Sequence, residues 1–160
     1  MTSAEQVDTL YTRVAKENTA FKGQLLVVHG LGEHSGRFLG ICKIIANENF
    51  LVHLLDLRGY GLSGGGRAQG SLNEHMRDIK NVIETQIDDK LPLFLMGHSM
   101  GAGILTLFVQ ANPSLNLAGV VLSSPFYRFP KGVKLDLAKR WAVGFLSRNT
   151  PVDLCSSRNS

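Results

Sequence analysis

Short unbroken apolar runs alternate along this chain with segments whose apolar positions recur at helical spacing. Leu25-Leu26-Val27-Val28 is a run of strand length, stopped by His29-Gly30. Phe38, Ile41, Ile44 and Ile45 then recur at helical spacing through Ala46, and Phe50 to Leu55 forms a second strand. Residues 71–87 form an amphipathic helix with Met76, Ile79, Val82, Ile83 and Ile87 on one face. Ser71 and Glu74 set a capping box at its start. Leu93 to Met96 is a third strand, Ala102 to Ala111 a buried helix and Leu117 to Leu122 a fourth strand. Leu10 to Val14 adds an antiparallel edge strand. Apolar runs without alternation, separated by helices, mark parallel strands covered on both faces. The expected class is α/β with an open, mostly parallel, doubly wound sheet.

Past Ser123-Ser124-Pro125 the alternation stops, which divides the chain at residues 1–124 and 125–160. Residues 131–147 read as one helix with Leu135, Ala138, Trp141, Ala142 and Phe145 on an apolar stripe. Its lysines and arginines lie mostly elsewhere, and residues 147–160 are polar and patternless.

Composition adds bounds. The 160 residues are 44% hydrophobic and 19% charged, an ordinary globular balance with core enough for one domain. The +4 net charge is dispersed, without a run of five basic residues, so nucleic acid is not the expected partner. Cys42 and Cys155 form no CxxC or metal-ligand spacing and read as reduced thiols of an intracellular protein. Neither a metal nor a cofactor is expected. The Gly-rich stretch from Gly59 to Gly70 matches no phosphate-binding loop, and Arg58 and Arg67 are expected to organise it. The first residues lack a leader pattern, and no apolar run approaches the roughly 20 residues that span a bilayer. The expected location is the cytoplasm, with membrane association depending on the helix at 131–147.

The chemistry centres on Gly97-His98-Ser99-Met100-Gly101. A shuffled chain of this composition would show G-x-S-x-G roughly one time in eight, so context carries the weight. Here a strand precedes the motif and a helix follows it. So tight a turn lifts the Ser99 hydroxyl above the sheet at a helix N-terminus, and only very small residues fit at positions 97 and 101. His29-Gly30-Leu31-Gly32 ends the first strand, where the fold that uses such an elbow places its second oxyanion donor. The backbone N–H groups of Leu31 and Met100 are the candidate donors.

The stretch His29-Gly30-Leu31-Gly32-Glu33-His34-Ser35-Gly36-Arg37-Phe38 closely resembles the H-G-x-G-E-H-S-G-R-[FY] signature of monoacylglycerol lipases and related lysophospholipases. Asp56-Leu57-Arg58-Gly59-Tyr60-Gly61-Leu62-Ser63 is similar to that group's D-x-R-G-x-G-x-S loop, and residues 97–101 to its G-H-S-M-G elbow. The resemblance runs from about residue 10 and is strongest over residues 25–124. It implies an α/β-hydrolase fold, a lipid ester substrate, Ser99 as nucleophile and Leu31 and Met100 as oxyanion donors. Residues 1–124 would be the N-terminal part of the hydrolase core and 125–160 the start of the cap. That helix would then be either a lid touching an anionic membrane or a stripe lying on the body of the protein.

Two positions depart from the family pattern. Ala102 replaces a usual glycine, a change that still packs. More seriously, the fold orders its triad as Ser, then acid, then His, whereas His29, His34, His53, His75 and His98 all precede Ser99. Only Asp136 and Asp153 follow it among aspartates, both in the cap-like region. The resemblance therefore places the acid, the histidine and later core strands beyond this sequence. An esterase represented by part of its chain is the first expectation. A non-catalytic, lipid-binding truncated form is the second, and a different hydrolase on the same half-fold the third.

Overall fold

The computed structural model describes residues 10–15 and 20–126. Five strands form one sheet in the order β1-β3-β2-β4-β5. They are β1 (Tyr11–Ala15), β2 (Gly23–Val28), β3 (Phe50–Asp56), β4 (Leu93–His98) and β5 (Gly119–Ser123). β1 runs antiparallel against β3, as the sequence suggests, and the remaining pairs are parallel. A 3-10 turn at Ser35–Phe38 leads into α1 (Leu39–Asn47), while α2 (Leu72–Gln86) and α3 (Met100–Ala111) follow β3 and β4.

Alternation along the inner strands sorts the core into two layers. Leu26, Val28, Leu55 and Leu95 pack with Ile79 and Val82 of α2 and Leu105 and Phe108 of α3. Leu25, Val27, Val52 and Leu54 pack on the opposite face with Cys42 and Ala46 of α1. Each of the Leu, Ile, Val and Phe side chains among these, fully buried, contributes about 1.5–3 kcal/mol. At the start of α2 the capping box forms as expected. Ser71 Oγ accepts the Glu74 N–H at 3.3 Å, and Glu74 Oε2 accepts the Ser71 N–H at 2.8 Å.

Two boundaries move from the sequence expectation. α3 begins at Met100, two residues before Ala102, because the elbow turns in a single residue. β5 begins at Gly119 rather than Leu117. Its Val120, Val121 and Leu122 are 39%, 52% and 38% exposed, although their unbroken apolar run reads as a strand covered on both faces. Among the described residues β5 pairs with β4 alone and lies at the sheet edge. The helix expected at 131–147 lies outside the described residues, as does nearly all of the segment 125–160.

β2 sits between β3 and β4, so the chain leaves it toward one side and returns on the other. Loops diverge at the carboxyl ends of such strands and open a crevice between them. The His29-Gly30 loop and the Ser99 elbow both stand there.

Candidate active site

β4 ends at His98 and α3 starts at Met100, leaving Ser99 alone to make the turn. Its backbone takes φ 50° and ψ −114°. Such a conformation costs a non-glycine residue about 1–3 kcal/mol and persists only where surroundings enforce it. Main-chain bonds do so here. The Ser99 N–H donates to the Ser123 carbonyl at 2.9 Å, and the Ser99 carbonyl accepts from Gly103 N–H at 3.1 Å and Phe126 N–H at 3.0 Å. The elbow glycines leave no room for a side chain. A Cβ on Gly97 would stand 2.6 Å from Ala102 Cα, and one on Gly101 2.4 Å from the Val28 carbonyl oxygen. Ala102 packs fully buried in the glycine's place.

The Gly103–Ser99 bond is the first i→i+4 bond of α3, so the N–H groups of Met100, Gly101 and Ala102 have no partner within the helix. They carry the positive end of its dipole, beside Ser99. Gly30 stands directly against the same serine, since a Cβ placed on it would lie 3.1 Å from Ser99 Cβ. The structure thus brings together the three candidates: Ser99, the loop bearing Leu31, and the helix start bearing Met100. Leu31 itself is 42% exposed, with its side chain toward solvent.

Polar contacts hold the loop after β2. Glu33 Oε2 accepts the Gly30 N–H at 2.9 Å, and Arg37 pairs with Glu33 at 3.4 Å. Asp56, fully buried at the end of β3, binds two neighbouring loops at once. Its Oδ1 accepts the Ser35 N–H at 2.5 Å, its Oδ2 the Leu62 N–H at 2.9 Å, and its carbonyl the Ser63 hydroxyl at 2.5 Å. Arg58 clamps the following loop to α2, with Nε and Nη2 each 2.6 Å from a carboxylate oxygen of Asp78 and Nη1 3.2 Å from Glu74. Arg67 donates to the Gly61 carbonyl at 3.2 Å, so both arginines organise the loop as expected. The Arg58–Asp78 fork is a positioning contact that sequence reading missed, because 20 residues separate two charges with no local pattern joining them.

The described contacts of the histidines give none of them the role of Ser99's base. His29 is 1% exposed and both ring nitrogens are engaged, one by the Leu57 N–H and one at the Gly30 carbonyl. His98 turns its Nδ1 toward Ser123 Oγ at 3.2 Å and its ring toward Phe38. His34 Nδ1 accepts the Gly36 N–H at 3.2 Å. His53 is buried in β3 and His75 on the buried face of α2, and burial lowers the pKa of both from 6.5.

Residues 19–156 match the family model described as serine aminopeptidase, S33. The monoacylglycerol lipase of Mycolicibacterium smegmatis is 32% identical over 136 residues, covering 82% of this chain and 48% of that protein. Human monoglyceride lipase is 36% identical over 119 residues, covering 72% of this chain and 39% of its own length. The crystal structure of Paleococcus ferrophilus monoacylglycerol lipase superposes with a TM-score of 0.70 at 32% identity, covering 89% of this chain and 52% of that one. The chain therefore spans about half the length of these relatives, or less. An elbow serine between parallel β4 and α3, an HG loop after β2 and these matches agree: the chain belongs to the serine aminopeptidase S33 family and carries the N-terminal part of its α/β-hydrolase fold.

Proposed function

We propose that this chain supplies the nucleophile and the oxyanion hole of a serine hydrolase that cleaves carboxylic esters of monoacylglycerols or lysophospholipids. The placement of Gly30 against Ser99 carries the reading, because it sets an oxyanion loop beside a hydroxyl at a helix N-terminus. Ser99 Oγ attacks the ester carbonyl. The negative charge that develops on the carbonyl oxygen is taken by the backbone N–H groups of Leu31 and Met100, each contributing about 3 kcal/mol to the transition state. These donors are fixed before the substrate arrives, so little reorganisation opposes the reaction. The relatives named as monoacylglycerol and monoglyceride lipases support an acylglycerol substrate, and the lysophospholipid reading rests on the sequence resemblance.

The proton of Ser99 needs an acceptor, and the described hydrogen bonds of the histidines include none to Ser99. By themselves these residues are expected to react at the residual level that an oxyanion hole and binding provide. Residues 1–124 are read as core and 125–160 as the beginning of a cap, with the basic flank of 131–147 available for contact with anionic lipid.

The test is labelling by a fluorophosphonate probe, read with intact mass, on the chain as its source makes it. Labelling that disappears in Ser99→Ala supports the assignment, and equal labelling of both forms overturns it. A wild-type chain that takes up no probe yet binds monoacylglycerol would favour a non-catalytic lipid-binding protein.

A further inference from the structure

The His29 ring closes β2 directly before the loop that carries Leu31, and two backbone groups fix its state. Its Nε2 lies 3.0 Å from the Leu57 nitrogen and its Nδ1 2.8 Å from the Gly30 carbonyl oxygen. A backbone N–H only donates, so Nε2 is the bare nitrogen. A carbonyl only accepts, so Nδ1 carries the proton. One tautomer of the neutral ring satisfies both partners. Burial is the largest influence on this ring and lowers its pKa from 6.5, against opposing pulls from the Gly30 carbonyl, Asp56 and Glu33.

The Gly30 carbonyl also accepts the Glu33 N–H at 3.3 Å. The Gly30–Leu31 peptide is trans, so its C=O and N–H point in opposite directions. Holding the carbonyl on the His29 side turns the Leu31 N–H to the opposite edge of the peptide, away from His29. The same glycine abuts Ser99 and stands 3.3 Å, at the Cβ position, from the His98 carbonyl oxygen.

We infer that His29 is a positioning residue for the oxyanion hole: as the Nδ1–H tautomer it holds the Gly30 carbonyl and thereby sets the direction of the Leu31 N–H. The inference rests on the proposed roles of Ser99 and Leu31. His29 does not touch the substrate. Its effect falls on the charge of the transition state, so it lowers kcat and leaves KM alone.

Two substitutions separate the two halves of the ring. The amide nitrogen of Asn sits near the place of Nδ1 and keeps a donor for the Gly30 carbonyl. The amide of Gln reaches the place of Nε2 and keeps an acceptor for Leu57. Each loses one buried hydrogen bond, so a purely structural role would affect both alike. With a monoacylglycerol substrate and the full chain as its source makes it, His29→Asn is expected to keep kcat within about threefold. His29→Gln is expected to lose about tenfold or more, toward the hundredfold that follows loss of an oxyanion donor, with KM unchanged. Equal kcat in the two variants, or a loss confined to KM, would overturn the inference while Ser99→Ala remains inactive. Activity that survives Ser99→Ala would instead overturn the nucleophile assignment. Independently of turnover, a long-range 1H–15N spectrum of the wild-type chain at pH 7 is expected to show a neutral His29 ring protonated at Nδ1. A ring protonated at Nε2, or charged, overturns the inference even in a chain without measurable activity.

Discussion

The N–H of Ser99 and the carbonyl of Ser123 lie 2.9 Å apart, which ties the elbow to the last residue of β5. The strand ladder pairs His98 with Ser123, so this bond carries β-type pairing one residue past β4 and into the turn. Three residues on, Phe126 N–H returns to the Ser99 carbonyl at 3.0 Å. The strained serine is therefore gripped through its own backbone by the exit of the neighbouring strand. No side chain of β5 takes part in these bonds.

That grip depends on Gly103. A Cβ there would stand 2.4 Å from the Phe126 carbonyl oxygen, a main-chain atom that can yield only by moving the segment holding Ser99. Gly103→Ala is expected to lower stability by about 1–3 kcal/mol and to slow any labelling of Ser99. Gly40→Ala is the control. Among the described residues nothing lies within 4 Å of a Cβ at that position in α1, so the change should raise stability by about 0.5–1 kcal/mol. Urea unfolding of both variants checks the pair, and a Gly103→Ala protein as stable as Gly40→Ala would refute the close contact.

Ser99 offers a second stability test. At φ 50° and ψ −114° it occupies the mirror image of an ordinary extended conformation, open to glycine and strained for any residue with a Cβ. Ser99→Gly and Ser99→Ala both remove the hydroxyl, and only the first removes the strain. The glycine variant should be more stable than the alanine variant by about 1 kcal/mol, after the greater unfolded-state entropy of glycine is deducted. Equal midpoints of urea unfolding would mean that the backbone conformation stores no strain.

Much of this is legible in the amino-acid sequence. The apolar runs at Leu25–Val28 and Phe50–Leu55 are strands because parallel strands buried on both faces need side chains of one kind in succession. Ser71 and Glu74 announced the start of α2 because a capping box is a local pattern, complete within four residues. The elbow and the HG loop were equally readable as motifs. What escaped the sequence are contacts between distant backbones or distant charges. The Ser99–Ser123 bond involves no side chain, so any residue type could make it. The Arg58–Asp78 fork joins a loop to a helix whose relative placement comes only from packing. His53, read as an alternating strand residue, gave no sign that neither of its ring nitrogens would find a partner among the described residues.

The fork predicts an unequal response to substitution. Asp78 is 6% exposed at its side chain and Arg58 20%, so the pair is largely withdrawn from water. Asp78→Asn removes the more buried of the two carboxylates that face Arg58, leaving Glu74 as a counter-charge, and should cost about 1–3 kcal/mol. Arg58→Lys keeps the charge but cannot grip both carboxylate oxygens, and should cost about 1–2 kcal/mol. Loosening the loop at 59–70 should also speed its cleavage by a protease under native conditions. Thermal unfolding and limited proteolysis of the two variants check both effects, and an Asp78→Asn protein matching wild type in each would show that the fork does not anchor the loop.

His53 sets the response to acid. It is 3% exposed between Val14 of β1 and Leu26 of β2, and among the described residues neither ring nitrogen has a hydrogen-bond partner. Burial lowers its pKa from 6.5, as it does for His29 and His75. A histidine whose folded pKa is depressed binds fewer protons folded than unfolded as pH falls below about 6.5, so stability is greatest above that value and declines below it. The decline stops only once the folded pKa values are passed. Wild-type stability should therefore fall between pH 7.5 and pH 5, with all three buried rings contributing. Replacing His53 with Leu removes one contributor and two unpaired polar atoms together. At pH 7.5 the variant should match wild type or exceed it by about 1 kcal/mol, since an unsatisfied buried polar group is lost. At pH 5 its advantage should be larger, because the leucine has no proton to gain. Urea midpoints at the two pH values measure the difference. An advantage that does not grow on acidification would mean that His53 finds a partner, or reaches water, when it is charged.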